Sequence, residues 1–578
     1  MKYPTLYTKE NSRTMVDVFK GYNHNLRISD SEFFDMKNMT SDYYPVLSPR
    51  KKRGLHLSLT NPTGMIAKDA LCYVEGQNFY INEYKVDMGL NDEPKQLIPM
   101  GAYVIIMPDK KWINTLDLTE YGDIEASFTS TSDVTFTLCT VDGADYNNLI
   151  ASDEEPKEPE NMALWVDTSS TPHTLKQYSS TSAMWVPIAT TYIKISSPGI
   201  GKAFEQYDGV TISGVYSDKL QDLNASMVIW AKGDDYIVVV GILDAVTKQM
   251  PGYGAVKVER KMPNMDFITE SENRLWGCKY GVAANGEIVN EIYASKLGDF
   301  KNWNCFMGVA TDSYAASCGT EGPFTGAVTH MGYPLFFKEN CVHKVYGNYP
   351  ANYQIQTTAC RGVQKGCHKS LAIVNEVLYY KARSGICAYD GSLPTEASYA
   401  LGNEAYSEAV GGGHGNKYYV SMKDVAGEWN LFVFDTAKGL WHKEDDLHVD
   451  AFCSCRNELY AISGTDIITM LGSGEEYEDN LEWMVQTGEI GISSPDMKYI
   501  SRLTVRMSMD IDTEVRFFAQ YDFSDEWEML FNLRSNNLRS FSLPIRPKRC
   551  DHMKLRIEGE GMAKIYSITK TIEQGSEL

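Results

Sequence analysis

The sequence predicts an all-β protein built around a β-propeller of about seven blades. A hairpin pattern (an apolar strand, a polar turn and a second apolar strand) recurs in the second half of the chain. Aligned on Leu335, Leu378, Tyr418 and Leu459, it repeats at intervals of 43, 40 and 41 residues, which is the spacing of propeller blades. A content of 36 Tyr and 12% aromatic residues also favours pleated sheets. Segments with helical periodicity are scarce.

Residues 1–60 predict an extended N-terminal arm. Its short apolar patches, at 16–19 and 33–39, are separated by Gly, Pro and Asn, which suits a segment lying across a neighbouring surface. A basic run, Arg50 to Arg53, closes the arm. Two interpretations remain open for this run: a solvated charge cluster, or a contact with an acidic partner.

The other domain boundaries follow changes in strand rhythm. Residues 61–124 predict the first two blades. Over 125–262 the blade spacing is lost and the acidic loop 153–160 interrupts the strands, so we expect an inserted all-β domain, either a barrel or a sandwich. The rhythm resumes over 263–484, which predicts five further blades. Residues 485–578 alternate apolar with charged residues, which predicts a C-terminal β-sandwich of the jelly-roll kind.

Composition limits the classes of function. The net charge of −22 argues against binding nucleic acid through its phosphates. It suits a wall that DNA passes without adhering, although an ordinary soluble surface explains it equally well. The 12 cysteines lie mostly in strand-like runs and predict packed, reduced thiols in a protein made in a reducing cytosol. No long apolar run and no signal peptide are recognised, so no membrane-spanning segment is expected.

Two segments resemble functional motifs without completing them. The glycine-rich segment 411–415 has the composition of an oxyanion loop, but the sequence contains no G-x-S-x-G nucleophile elbow. We therefore expect a tight crossing between blades. Asp510 and Asp512 lack the further ligands of a calcium loop and predict a turn.

Cysteine and histidine spacings do not predict a metal centre. Cys360, Cys367 and His368 lack the paired C-x2-C spacing of a structural zinc site, and so do Cys453 and Cys455. Packed thiols are expected instead. The sequence therefore predicts no catalytic, cofactor-binding or metal-ligating residue, no cofactor, and a protein that is not an enzyme.

The C-terminal module carries two further candidates for binding. Tyr521 or Trp527 could stack on a sugar, although core packing explains both equally well. A group of cations stands out in an otherwise acidic chain and could dock on the acidic surface of a neighbouring subunit. Its members are Arg534, Arg539, Arg546, Lys548 and Arg549.

Several stretches resemble virion proteins of Firmicutes phages and prophages. The opening does so through Phe19-Lys-Gly21 and the segments 33–42 and 44–54. A blade motif over 273–303 and the ending, 549–559, resemble the same proteins, so the likeness runs nearly from end to end. The layout is also similar to the β-propeller nozzle or hub proteins of short-tailed phages, in which an arm precedes the propeller.

This resemblance implies a structural component of a phage tail or neck, an oligomeric ring (nozzle or hub) around the DNA channel. The implied partners are the portal, the adaptor or other tail proteins, tail fibres or spikes, and further copies in a cyclic homo-oligomer such as a hexamer. Genomic DNA would pass without sequence-specific binding. The implied location is the virion, after synthesis in the host cytoplasm. The alternative is a receptor- or carbohydrate-binding tail appendage that uses the insertion or the sandwich. These two domains depart from the nozzle layout and leave the position in the tail open.

Overall fold

A computed structural model describes residues 11–283, 286–492, 497–522, 524–534, 539–546 and 548–574. Strands account for 52% and helix for 3%, so the predicted all-β class is confirmed. No helix in the described residues is long and apolar enough to cross a membrane. The chain divides into two compact units. The first takes the residues up to Lys95, Phe337–Val342 and those from Thr358 onwards; the second takes Gln96–Phe336 and His343–Thr357.

Seven small antiparallel sheets among the described residues have the strand order of propeller blades, which confirms the propeller-type fold. Two precede the insertion and five follow it, as the hairpin rhythm predicts. Six are meanders of four consecutive strands. Their strands are Pro62–Lys68, Ala70–Glu75, Asn78–Ile81 and Tyr84–Asp87 (blade one); Gln96–Met100, Tyr103–Met107, Lys111–Asn114 and Tyr121–Asp123 (two); Phe267–Ser271, Arg274–Val282, Ile288–Ala294 and Tyr314–Ser317 (three); Gly326–His330, Tyr333–Lys338, Cys341–Tyr346 and Gln354–Ala359 (four); Ala372–Val374, Val377–Ala382, Gly385–Tyr389 and Thr395–Glu396 (five); and Tyr406–His414, Lys417–Asp424, Trp429–Asp435 and Leu440–Lys443 (six).

Blade seven, called the closing blade here, is completed by the N-terminal part of the chain. Its own strands are Ala451–Cys455, Glu458–Ser463 and Asp466–Thr469. The strand Gly54–Ser58 pairs antiparallel with the last of these, and Glu475–Glu476 pairs on its other side. The outer part of this blade is therefore made by residues from opposite ends of the sequence.

The blades within each unit pack through their leading strands. In the first unit the leading strands of blades five, six, seven and one lie side by side, and in the second unit those of blades two, three and four do the same. The space between blades six and seven is filled by one apolar cluster, which includes Tyr419, Leu431, Leu459 and Ile468. This alternation of buried side chains is what the strand-period pattern predicts.

The glycine-rich segment lies where blade six is pressed between its neighbours. A Cβ atom on Gly412 would lie 2.3 Å from Cβ of Phe452 on blade seven. On Gly413 it would lie 2.7 Å from Cγ2 of Val374 on blade five. Only glycine fits at these positions against blades five and seven, so the predicted tight crossing between blades is confirmed.

The inserted part of the chain forms a domain of its own within the second unit. Two sheets share one apolar core that contains Phe136, Ile195, Phe204 and Val258. A third, smaller sheet packs on a satellite cluster around Leu175. The first sheet has the order Ala126–Thr129, Lys257–Arg260, Gly209–Ser213 and Ser226–Val228. The second has the order Ala231–Gly233, Tyr236–Val240, Tyr192–Ser196, Val134–Cys139 and Thr247–Gln249. The third, smaller sheet has the order Leu149–Ser152, Leu164–Asp167, Thr174–Ser179 and Met184–Pro187.

The C-terminal β-sandwich is confirmed, and the arm contributes a strand to each of its sheets. One sheet has the order Ser12–Val16, Ala563–Gln574, Lys498–Met509 and Arg539–Leu543, with Arg549–Cys550 also on Lys498–Met509. The other has the order Phe33–Lys37, Glu482–Thr487, Met553–Glu560, Glu514–Tyr521 and Glu528–Arg534. Alternate residues of the central strands, among them Val505, Phe517 and Ile557, are fully buried between the sheets.

The glycine crossing leads to a first prediction. Gly412→Ala places a methyl group against Phe452 and should destabilise the chain by about 1–3 kcal/mol through overpacking. Gly319→Ala is the matched control, because a Cβ atom there meets nothing within 4 Å. Thermal and urea unfolding measure both variants. Equal stability of the two variants would contradict the tight packing of blade six.

Candidate functional site

Residues of the opening motif, 19–21 and 33–54, hold the arm on the first unit. Gly21 has φ +80°, and a Cβ atom there would lie 2.3 Å from the carbonyl oxygen of Trp441, so this close approach requires glycine. The next residue, Tyr22, donates its backbone N–H to the same carbonyl at 2.7 Å. Asn38 is buried; its amide donates to the carbonyl of Glu482 at 2.7 Å and accepts from Nε of Arg50 at 2.9 Å. The motif is thus a set of docking contacts.

Two arginines at the end of the arm enter a buried network of carboxylates. Arg50 and Arg53 are only 4% and 3% exposed. Arg50 makes a two-pronged contact with Glu478, at 2.8 and 2.7 Å. Arg53 makes another with Asp445, at 2.6 and 2.9 Å, and also donates to Glu444 at 2.7 Å. Such paired N–H···O bonds are the strongest contacts that a guanidinium forms with carboxylates.

The arginines favour the ionised forms of Asp445 and Glu478. Burial alone would raise the pKa of Asp445, but Arg53 and then Arg50 outweigh burial and hold that pKa below its ordinary value. The pKa of Glu478 is lowered in the same way, against burial, chiefly by Arg50. These charges therefore stabilise the fold at neutral pH, and their contribution is lost as the pH falls below the ordinary carboxylate range.

The solvated interpretation of the basic run is therefore wrong for its two arginines. Lys51 and Lys52 are exposed, as that interpretation requires. Arg50 and Arg53 instead contact an acidic surface, and that surface belongs to the same chain. The sequence separations of 428 and 392 residues to Glu478 and Asp445 explain why no local pattern reveals these partners.

A cleft of about 430 Å³ adjoins this network. Two of its lysines are paired with carboxylates: Lys417 donates to Asp42 at 2.5 Å, and Lys438 donates to Asp435 at 3.0 Å. Beside it, burial and then Lys417 lower the pKa of His442 to about 3, so this imidazole is neutral at physiological pH. The internal pairing leaves little net charge to attract a ligand.

The inserted domain contains a larger cleft, of about 620 Å³, called the insertion cleft here. Its walls come from residues 171–175, 188–193, 218–227 and 240–244. The inner surface is apolar. Asp218 and Asp222 are exposed at the rim. A third rim carboxylate, Asp244, accepts a bond from Lys219 at 2.6 Å, and this bond lowers its pKa.

A buried network fixes the inserted domain to blade three of its own unit. Arg260, on the exit strand, forms a buried ion pair with Asp208 at 2.5 Å. Asn302, from the blade motif over 273–303, donates to Asp208 at 2.8 Å and accepts from the backbone N–H of Gly209 at 2.8 Å. This motif residue therefore joins blade three to the inserted domain.

Cys367, Cys453 and Cys455 are buried, Cys360 is half-buried, and His368 is exposed. Cys453 and Cys455 lie in one apolar cluster with Leu71 and Ile467, as expected of packed thiols. Burial raises the pKa of Cys453 to about 12 and that of Cys367 and Cys360 to about 11. Across the described residues, no group of three or more His, Cys, Asp or Glu side chains could hold a metal ion.

The candidates in the C-terminal module have partners within the sandwich. Asp510 and Asp512 flank the predicted turn, with Asp512 at φ +64°. The Arg556 guanidinium lies 5.3 Å from the ring of Trp527, and Lys548 lies 5.0 Å from that of Tyr521.

Most of the predicted basic group is already engaged. Arg534 pairs with Glu514, Lys548 pairs with Glu528, and Arg539 lies over Phe541. Arg546 and Arg549 are exposed. The group does not form one continuous basic patch.

Sequence reasoning missed the insertion cleft and the outward arginines of the sandwich. The cleft is assembled from four separate segments, so no local motif marks it. A local signal did exist for Arg502 and Arg506: both fall on the polar positions of an alternating strand, four residues apart.

No protein-family model and no curated protein matches the chain. Among solved structures, an exo-beta-1,3-galactanase from Phanerochaete chrysosporium is similar at 9% identity and TM-score 0.20, covering 52% of this chain and 94% of its own. A glycoside hydrolase family 43 arabinoxylan arabinofuranohydrolase from Bacillus subtilis is similar at 8% identity and TM-score 0.16, and the match covers 52% of this chain and 94% of that enzyme's chain. The Trypanosoma rangeli sialidase is similar at 8% identity and TM-score 0.21, and the match covers 98% of this chain and 96% of the sialidase chain. The likeness is one of fold only.

These neighbours correct one expectation. The sequence predicted a protein that is not an enzyme, and that prediction is wrong as stated, because the solved structures named above are glycoside hydrolases and a sialidase. The correction stops there. Similarity at this level assigns neither a reaction nor a catalytic residue to this chain.

The arginine network leads to a second prediction. Arg53→Met leaves Asp445 and Glu444 buried without their main partner and should lower the free energy of unfolding by about 3–5 kcal/mol. Lys52→Met is the matched control, since Lys52 and its partner Glu476 are 42% and 72% exposed and such a pair contributes less than about 1 kcal/mol. Urea unfolding followed by tryptophan fluorescence measures both. Similar losses in the two variants would show that the buried network does not stabilise the fold.

Proposed function

We propose that the chain is a structural component of a phage tail or neck. In this role it forms an oligomeric ring, a nozzle or hub, around the DNA channel and binds neighbouring tail proteins. Its place is the virion, and its partners are further copies of itself, the portal, adaptor or other tail proteins, and fibres or spikes.

The observation that carries the proposal is what the phage-like motif residues do in this fold. Gly21, Asn38 and Arg50 dock the arm, and Asn302 joins a blade to the inserted domain. The residues on which the resemblance rests are thus those that build this arrangement of arm, blades and added domains. A shared motif of this kind supports a shared architecture.

The charge of the chain is compatible with this role. A net charge of −22 repels a passing polyanion and keeps DNA from adhering to the wall of a channel. The propeller-type fold supports the role as well, because its blades carry the added domains.

Electron microscopy of virions tests the proposal. We expect particles from a phage with this gene disrupted to lack a ring of density on the tail axis, and complementation with the intact gene to restore it. Complementation with Gly319→Ala serves as a control for expression of an altered chain. Density lost only at fibre tips, with the axial ring intact, would contradict the proposal.

A second candidate function, carbohydrate binding, is favoured by the insertion cleft. Its volume of about 620 Å³ lies in the range of small-ligand sites. The apolar inner surface suits the C–H face of a sugar. Carboxylates on the rim, Asp218 and Asp222, can accept bonds from hydroxyl groups.

A glycan array with the full chain tests this second candidate. We expect the double variant Asp218→Ala/Asp222→Ala to lose at least about tenfold in affinity for any glycan bound, through lost hydrogen bonds to ionised groups. Asp234→Ala, an exposed position of the same domain outside the cleft, is the control. Release of sugar products measured on the bound glycans separates binding from turnover. Unchanged binding by the double variant would exclude the insertion cleft as the glycan site.

A further inference from the structure

One outer face of the sandwich carries arginines without carboxylate partners. In the strand Lys498–Met509, Leu503, Val505 and Met507 are fully buried, while the alternate residues Arg502 and Arg506 are exposed on the other face. These two lie about 13 Å apart along the strand. We call this outward surface, with its neighbouring strands, the arginine face.

The arm adds a third arginine to this face. Thr571 is paired with Arg502 on one side and with Arg13 on the other, so Arg13 and Arg502 lie in one row, two strands or about 10 Å apart. The arginine face is therefore complete only once the arm has joined the sandwich.

Hydroxyl groups fill the positions around these arginines. In the described part of the chain none of the three arginines forms an ion pair, and Arg502 contacts only the Ser542 hydroxyl, at 3.3 Å. One carboxylate, Glu573, lies at the end of the face, where Asn11 donates to it at 3.4 Å. The hydroxyl-bearing residues of the outward rows are Thr504, Ser540, Ser542, Ser567, Thr569 and Thr571.

This absence of partners is informative in so acidic a protein. The chain has 76 acidic residues against 54 Lys and Arg. Three of its buried arginines, Arg50, Arg53 and Arg260, have carboxylate partners, and a fourth, Arg274, donates to backbone carbonyls. A face with several free guanidinium groups and a row of hydroxyls is suited to bind carboxylates that come from another molecule.

The inserted domain carries a segment of complementary charge. The acidic loop, residues 153–160, contains Asp153, Glu154, Glu155, Glu158 and Glu160, all exposed. Within the described residues none of these five forms an ion pair with Lys or Arg. Pro156 and Pro159 restrict the backbone of the loop, which lowers the entropy lost when it is held by a partner. So many like charges on a short loop repel one another, and a basic surface relieves that repulsion.

We propose that the arginine face of one copy binds the acidic loop of a second copy of this chain. The inference rests on the proposed ring function, to which it adds the interface. Because the two surfaces differ, the contact is head-to-tail. Such a contact repeats from subunit to subunit and generates a ring when the rotation closes. Each copy then contributes its arginine face to one contact and its acidic loop to another.

Charge reversal on each surface tests the proposal with full-length protein. The face variant carries Arg13→Glu, Arg502→Glu and Arg506→Glu, and the loop variant carries Glu154→Lys, Glu155→Lys and Glu158→Lys. Native mass spectrometry and light scattering after gel filtration measure the oligomer. We expect each variant alone to weaken assembly by at least about tenfold, since like charges then face each other.

Mixing the two variants provides the decisive measurement. In an alternating assembly the glutamates of the face variant meet the lysines of the loop variant, and the native face of the loop variant meets the native loop of the face variant. We therefore expect the mixture, and also a chain carrying both sets of changes, to recover the oligomer. The control is a triple variant at three exposed sites elsewhere, Lys85→Glu/Lys202→Glu/Lys248→Glu. Its change in net charge equals that of the face variant, and it should assemble normally.

The outcomes separate this inference from the ring proposal. A wild-type oligomer that is unaffected by either reversal overturns the inference and leaves the ring standing. So does a loss of assembly that neither the mixture nor the combined variant restores, because the arginine face then binds something other than the acidic loop. A wild-type chain that stays monomeric at every concentration contradicts both the inferred interface and the proposed ring. Thermal unfolding of each variant confirms that the reversed chains are folded.

Discussion

The buried ion network at the end of the arm is the constraint on which the first unit depends. Arg50 and Arg53 draw the N-terminal segment against carboxylates that follow blade six and blade seven. The strand directly after them, Gly54–Ser58, then completes the closing blade. Opening that blade would separate charged groups that are almost inaccessible to water from their partners. This is costly because neither partner recovers full hydration. The network therefore couples the first strand of the propeller to the last.

The same contacts fix the register of the closing strand. A Cβ atom on Gly54 would lie 1.9 Å from the carbonyl oxygen of Ser473, so no other residue type fits at this point. A slip by one residue would bring Arg53 or Leu55 there and would also pull the guanidinium groups away from their carboxylates. Packing and charge thus select one alignment, although the strand itself is short. The entropy lost on closing so long a loop grows only slowly with its length, so these few contacts suffice to hold the strand in the closing blade.

The sequence predicts what is local and fails where partners are distant. The blade hairpins were recognised because both strands and the turn lie within one stretch of chain, as at 377–389. The strand pairing of the arm was not recognised, because Ser12–Val16 is mostly polar and its partner strand begins at Ala563. The basic run was interpreted as solvated for the same reason, since its carboxylates are hundreds of residues away. The insertion cleft needs four segments to converge, which periodicity cannot reveal.

The inserted domain shows how this fold accepts an addition without disturbing its blades. Its first strand, Ala126–Thr129, pairs directly with its last, Lys257–Arg260, so the chain leaves and re-enters the blades at one place. Lys110 reinforces this place, because it binds Glu125 before the insertion and the carbonyl of Met262 after it. A domain joined through adjacent ends imposes little strain on its host. The blades can therefore keep their pairing while the inserted domain presents surfaces, the cleft and the acidic loop, that the propeller itself does not need. Such a division between the blades and an added surface is what the proposed role in assembly requires.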